Sequence, residues 1–239
     1  MSNELHTGLL STGAKNIDKL LNGGIRGGTL THVYGKARSG KTTLAIQTAA
    51  NVATSGGRTL YVDAENSFSP KRLQQISGTN FHLVAKEIVV FKPTTFVEQS
   101  DIVDNIEKYI VPKVKLIIFD TITTLYRVEL GNSQRNFALN RELNRQLAVL
   151  LGLAKKHGIA VLLTNQVRDV MVEGIVDIVP VGRKVLEHWT MPSLLLEVSD
   201  YSRKRKIKLV GRPGDRETFT YCVLTNEGLK PLEDKDALE

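Results

Sequence analysis

The 239-residue chain holds one cysteine, Cys222, and one tryptophan. A single thiol excludes an internal disulfide, and the absence of any CxxC pair or HExxH stretch removes the recognisable zinc sites. Cys222 is therefore expected as a small buried apolar group. No run of residues approaches the roughly 18 apolar positions that a bilayer crossing needs. The opening MSNELHTGLL also lacks a basic start followed by an apolar stretch. Both absences point to a cytoplasmic chain without a membrane partner. No internal repeat is present, which excludes a tandem array.

What is present is ordinary for a globular protein: 41% hydrophobic and 24% charged residues, enough to exclude wholesale disorder. The length suits one well-buried α/β unit and leaves too little for a second of ordinary size. The expected organisation is a single core domain over 1–230 and a flexible acidic tail over 231–239. Lys and Arg exceed Asp and Glu by 32 to 25, a formal charge of +7 that permits a polyanionic partner without demonstrating one. The excess is concentrated at 203–216, where Arg203, Lys204, Arg205, Lys206, Lys208, Arg212 and Arg216 face the single acid Asp215.

Strand-like runs alternate with helical periods. TLTHVY, RTLYVD, IVVF, KLIIFD and IAVLLTNQ are short, apolar and β-branched, and the segments between several of them carry a helical repeat. Phe96, Val103, Ile106 and Ile110 share one helical face; so do Leu139, Leu143, Leu147, Leu150 and Ala154. This alternation predicts a mostly parallel sheet flanked by helices. Segment 167–189 shows no sustained period and reads as a long functional loop. Beyond it SLLLEV, KIKLV and TFTYCVL form three consecutive strand-like runs, predicting an antiparallel C-terminal extension.

GKARSGKT, at 35–42, fits GxxxxGK[ST] and lies between a strand-like run and a helix. Glycines let backbone N–H groups curl around phosphates, so Gly35, Lys36, Ala37, Arg38, Ser39 and Gly40, with Thr43 next in line, are candidate nucleotide contacts. Lys41 supplies a cation for the outer phosphates and the Thr42 hydroxyl a ligand for Mg2+. Asp120 closes KLIIFD at the carboxyl edge of the sheet and is the candidate Walker B aspartate, holding the metal shell beside Thr42. ATP and Mg2+ are thus the expected cofactors. Asp63 and Glu65 follow RTLYV, where a carboxylate could orient a hydrolytic water or merely be a solvated loop acid.

Taken together, STGAKNIDKLLNGGIRGGTLTHVYGKARSGKTT, YVDAENSFSPKRL, LIIFDTITTLYR and AVLLTNQV resemble, in order, the RecA-type recombinase superfamily in its archaeal and eukaryotic branch. The short lead and FSPKRL look most like the RadB family of archaeal recombinase paralogues. The resemblance implies a RecA-like P-loop NTPase core. It also implies that Glu65 activates the hydrolytic water, that Arg72 packs near adenine, and that Gln166 senses the γ-phosphate and relays its state onward.

In the recombinases the two segments following Asp120 and Gln166 bind DNA; here they are 127–136 and 167–189, and the match is poor. The second carries Arg168, Arg183 and Lys184 against Asp169, Glu173, Asp177 and Glu187, so phosphate attraction is expected to be weak. No Phe-x-x-Ala tetrapeptide, the usual filament connector, occurs in the sequence, and no helical N-terminal DNA-binding domain is expected. Self-association would have to proceed without that connector, and strand exchange is not expected.

On the basic strand a period of two puts Lys204, Lys206 and Lys208 on one face and Arg203, Arg205, Ile207 and Leu209 on the other. The lysines could protect a sheet edge, contact DNA without sequence preference, or, as in several RecA-like ATPases, reach a neighbouring subunit's γ-phosphate. The expected function is a weakly hydrolysing, ATP- and DNA-binding accessory protein of recombination and repair, with the main recombinase or other repair proteins as further partners. The competing reading is a nucleotide-gated protein switch that does not bind DNA.

Overall fold

A computed structural model describes residues 8–172, 175–199, 203–211 and 217–232. In chain order the elements are β1 (Leu9–Leu10), α1 (Lys15–Leu20), β2 (Ile25–Arg26), β3 (Leu30–Tyr34), α2 (Lys41–Thr54), β4 (Arg58–Asp63), α3 (Pro70–Ser77), α4 (Phe81–Ala85), β5 (Ile88–Phe91) and α5 (Phe96–Asn105). There follow β6 (Val114–Asp120), α6 (Thr124–Glu129), α7 (Ser133–His157), β7 (Ala160–Asn165), β8 (Val167–Val172), β9 (Ile175–Pro180), α8 (Arg183–Trp189), β10 (Ser193–Val198), β11 (Lys204–Val210), β12 (Thr218–Thr225) and β13 (Gly228–Pro231).

Nine strands make one sheet in the order β13-β12-β11-β10-β3-β7-β6-β4-β5. From β10 to β5 the neighbours are parallel, and from β10 to β13 they are antiparallel. The parallel strands are buried on both faces, which is why they read as continuous apolar runs. Within β6, Leu116 and Ile118 join the core on one side of the sheet while Ile117 and Phe119 join the other. Helices α1 to α4 cover the first side and α5 to α8 the second.

Each covering helix is held by the face the periodicity marks. In α7, Leu139, Leu143, Leu147, Leu150 and Ala154 are all buried, each leucine contributing about 1.5–3 kcal/mol of transfer free energy. Asn132 caps its start by accepting from the Arg135 N–H, and Gly158, in the left-handed conformation at φ 64°, ends it. The Phe96 helix is shorter than its apolar face: α5 stops at Asn105 and a 3-10 turn over Ile106–Tyr109 carries Ile106 into the core.

Three expectations need correction. Segment 167–189 is not an irregular loop, because β8 and β9 pair as an antiparallel hairpin outside the main sheet and α8 follows. Its valine and isoleucine content satisfies strand geometry, while the aspartates between them break the alternation by which a strand is recognised. Segment 127–136 is likewise mostly helical, with only 130–132 linking α6 to α7. The lysine strand is no sheet edge either, since β11 pairs with β10 on one side and β12 on the other. Arg212, Asp215, Arg216, Glu173 and the tail from 233 onward lie outside the described residues. Among the described residues no helix is long and apolar enough to cross a membrane.

Candidate nucleotide site

Four adjacent parallel strands, β3, β7, β6 and β4, bring four motifs to their common carboxyl ends. The P-loop leaves β3, Gln166 follows β7, Asp120 ends β6 and Glu65 follows β4. Ligand crevices of α/β sheets form at this edge. A cavity of about 340 Å³ opens there, lined by Ala37, Arg38, Gly40, Lys41, Thr42, Thr43, Glu65, Gln166, Arg205 and Leu224.

The P-loop is shaped by close approach. A Cβ on Gly35 would sit 2.2 Å from the Leu196 carbonyl oxygen, so only glycine passes beneath β10. Gly40, at φ 106°, turns the chain into α2 and leaves the first N–H groups of that helix at the cavity. Lys41 is 7% exposed, and its Nζ donates to the Gly35 and Lys36 carbonyls at 2.9 and 3.0 Å. Burial pulls its pKa down, opposed by the negative charges of Glu65 and Asp120.

Asp120 is fully buried behind the cavity wall. Burial raises its pKa, while donors from Thr164, Tyr61 and Thr42 favour the carboxylate. Tyr61 donates from 2.7 Å. The Thr42 contact means that a hydroxyl and a carboxylate from two different motifs meet at one point. An all-oxygen pair with one carboxylate suits Mg2+, which keeps several waters and takes phosphate oxygens to complete its octahedron, and it does not suit a metal caged by protein. No cluster of three His, Cys, Asp or Glu residues occurs among the described residues.

Glu65 and Gln166 touch directly: Gln166 Nε2 donates to Glu65 Oε1 at 2.5 Å, and Thr124 Oγ1 donates to the same oxygen at 2.6 Å. Asp63 is engaged otherwise, its two carboxylate oxygens accepting from the Ser67 and Phe68 N–H groups at 2.9 and 3.0 Å, so it closes the turn after β4. Arg72 lies to one side. Its guanidinium donates to the Thr225 and Asn226 carbonyls at 2.8 and 2.7 Å, on the wall of a 650 Å³ cavity also lined by Thr43, Leu224, Glu227 and Lys230. Thr43 and Leu224 line both cavities, so they adjoin.

The Rad51 family matches residues 6–232. The chain belongs to the Rad51 family. Within it, the chain is 36% identical over 211 residues to the DNA repair and recombination protein RadB of Methanococcus maripaludis strain C7, covering 88% of this chain and 95% of that one. It is 35% identical over 221 residues to the RadB of Methanococcoides burtonii, covering 92% and 97%. A solved structure titled "Crystal structure of the RadB recombinase" superposes with a TM-score of 0.80 at 35% identity, covering 94% of this chain and all of that one. This Rad51-family member is therefore similar along nearly its whole length to RadB, a paralogue of the RecA-type recombinases, and carries an ATPase-type P-loop domain.

Away from the nucleotide cavity, segments 127–136 and 167–189 come together. Arg127 of α6, Arg168 of β8 and Arg183 and Lys184 of α8 line a cavity of about 470 Å³ with Tyr126, Leu130 and Asn140. The hairpin sorts the charges that the sequence interleaves. Arg168 turns toward this cavity, whereas Asp169, on the opposite face, pairs with Lys36 of the P-loop at 3.0 Å. Arg183 pairs with Glu187 at 2.6 Å. The hairpin's root is fixed where Asn165 Nδ2 donates to the Val181 carbonyl at 2.8 Å, next to Gln166.

On β11 the lysine stripe is occupied within the chain. Lys204 and Lys206 lie over the rings of Tyr221 and Phe219 at 4.5 and 4.0 Å. Lys206 pairs with Glu217 at 2.9 Å and Lys208 with Glu197 at 3.0 Å. Arg205, on the other face, was not distinguished from its neighbours by the sequence. It is 4% exposed and donates to P-loop carbonyls. The only signal in the sequence is an arginine sharing a strand face with Ile207 and Leu209, where a charge needs a partner.

Proposed function

We propose that the chain is an ATP-binding, slowly hydrolysing and DNA-associated accessory protein of recombination and repair. The observation that carries the proposal is the meeting of Lys41, Thr42, Glu65 and Gln166 around one cavity, with Asp120 behind it. The triphosphate would lie over the start of α2, where loop N–H groups and the helix dipole favour negative charge. Lys41 would exchange two loop carbonyls for phosphate oxygens, a charge-assisted and stronger bond. Thr42 and Asp120 would hold Mg2+, which neutralises charge developing on the phosphates.

Glu65 is the group that would take a proton from the attacking water, with Thr124 orienting its carboxylate. Its bond to Gln166 gives the relay a physical form. When Glu65 turns to a water beside the γ-phosphate, Gln166 loses that acceptor, and Gln166 stands at the root of the β8–β9 hairpin. Arg72 closes the adjoining cavity, where the base would lie.

The DNA-contacting part is the cavity of Arg127, Arg168, Arg183 and Lys184. Phosphate contacts of this kind carry no sequence information and weaken with salt. Lys204, Lys206 and Lys208 would join a second polyanion or a neighbouring subunit only by giving up the partners they hold within the chain. The relatives' names assign them to DNA repair and recombination, which fits this reading.

Calorimetry with ATP and Mg2+, followed by fluorescence anisotropy with single- and double-stranded DNA at two salt concentrations, tests the whole. Nucleotide uptake with salt-sensitive DNA binding is expected. Uptake without any DNA binding at low salt would favour the nucleotide-gated protein switch, and no uptake would end the reading.

A further inference from the structure

Arg205 turns away from the lysine stripe and runs under the P-loop. Its Nε donates to the Ser39 carbonyl and its Nη2 to the Arg38 carbonyl, both at 3.1 Å. The side chain is buried and forms part of the phosphate cavity wall beside Lys41 and Thr42.

The two carbonyls it holds belong to the most contorted part of the loop. Arg38 is left-handed at φ 63° although it bears a side chain, and Gly40 follows at φ 106°. A non-glycine residue keeps such a conformation only where its surroundings over-determine it. Arg205 supplies that determination from outside the loop. In a trans peptide the N–H runs antiparallel to the C=O. Fixing the Arg38 and Ser39 carbonyls toward β11 therefore sets the direction of the Ser39 and Gly40 N–H groups: the first closes the loop's turn on the Lys36 carbonyl at 3.2 Å, and the second begins the run of N–H groups that leads into α2. A guanidinium suits this task because its planar fork reaches two acceptors at a fixed spacing and stays charged when buried.

We propose that Arg205 is a positioning residue for the nucleotide phosphates, holding the P-loop in its anion-binding shape from the antiparallel end of the sheet. The proposal rests on the nucleotide reading above. Because the loop's shape serves every phosphate of the ligand, the loss of Arg205 should weaken diphosphate and triphosphate alike. A residue that merely touched the γ-phosphate would spare the diphosphate.

The test is calorimetric titration of wild type, R205A and R205K with ADP and with ATPγS in Mg2+, beside circular dichroism. Expected is a loss of about tenfold for both nucleotides in R205A, the scale of one charge-assisted hydrogen bond, with R205K regaining part of it for both. Unchanged ADP affinity in folded R205A, or a loss confined to ATPγS, overturns the proposal. Wild type that binds neither nucleotide defeats the functional reading instead. If R205A does not fold, hydrogen exchange of R205K without nucleotide decides: several-fold faster exchange of the amides at 38–40 is expected, and exchange equal to wild type overturns it.

Discussion

The nucleotide cavity and the hairpin cavity both collect charge at one edge of the molecule, but they hold it in opposite ways. In the first, Lys41, Asp120 and Arg205 are buried and each is fixed by hydrogen bonds from two or more directions. In the second, Arg168 is exposed, and on the hairpin's opposite face the Lys36–Asp169 pair leaves both side chains 58% exposed. Buried charges in low dielectric interact strongly and lose much when a partner is removed. Exposed charges are screened and replaceable. The buried set suits a single ligand in one pose, and the exposed set, on the function proposed above, suits a polyanion in many.

The largest effect should come from Lys41→Ala. The substitution removes the cation that sits among the loop carbonyls and should cut ATP affinity at least about a hundredfold, the scale of losing a buried charged donor to phosphate. Calorimetry reads it directly. An affinity within tenfold of wild type would mean that the two cavities differ less than their geometry indicates.

Glu65→Gln comes next and separates binding from chemistry. The amide keeps the size and an acceptor for Thr124 but cannot take a proton. Phosphate release should fall by about a hundredfold, the low end for a lost general base, with ATP affinity within about twofold of wild type. Turnover equal to wild type would remove Glu65 from the mechanism.

The nucleotide cavity was legible in the sequence because each of its parts is local. The P-loop is one contiguous string, and Asp120, Glu65 and Gln166 each end a short apolar run, so the parallel strand order alone brings them together. The helical faces of α5 and α7 were legible for the same reason. The hairpin was not, because the aspartates in its strands interrupt the alternation of a half-buried strand. Arg205 was hidden differently. A period of two separates the faces of β11, but nothing local says that one face lies under a loop 166 residues earlier in the chain. Summed along the chain, 167–189 is slightly acidic, and the fold adds what the sum does not show: Asp169 pairs with Lys36, and Arg168 lines one cavity with Arg127, Arg183 and Lys184.

For the exposed cavity, effects should be graded and salt-dependent. Each cation that touches a phosphate contributes about 0.7 to 0.9 to the salt slope of DNA binding. Arg127→Ala and Arg168→Ala should each lower the slope by about that amount and weaken binding several-fold at low salt. ATP affinity should not change. Anisotropy titrations over a salt series measure both, and a slope unchanged in the double substitution would place DNA elsewhere on the surface, with the lysines of β11 the next candidates.

The smallest effect discriminates most finely. Asp169→Asn removes one negative charge on the hairpin and releases Lys36, without touching either cavity's lining. The pair is exposed, so its loss should cost the fold no more than about 1 kcal/mol, a shift of a few degrees at most in melting temperature. Its removal leaves the hairpin more positive, and DNA affinity should rise by about two- to threefold in dilute buffer, because a single unit charge within a Debye length is worth a fraction of a kcal/mol. The gain should vanish as salt shortens that length. A rise that persisted at high salt would show that Lys36 had gained a direct contact. A fall at low salt would show instead that the ion pair holds the hairpin in the position from which Arg168 reaches its ligand, and the exposed cavity would then share the order of the buried one.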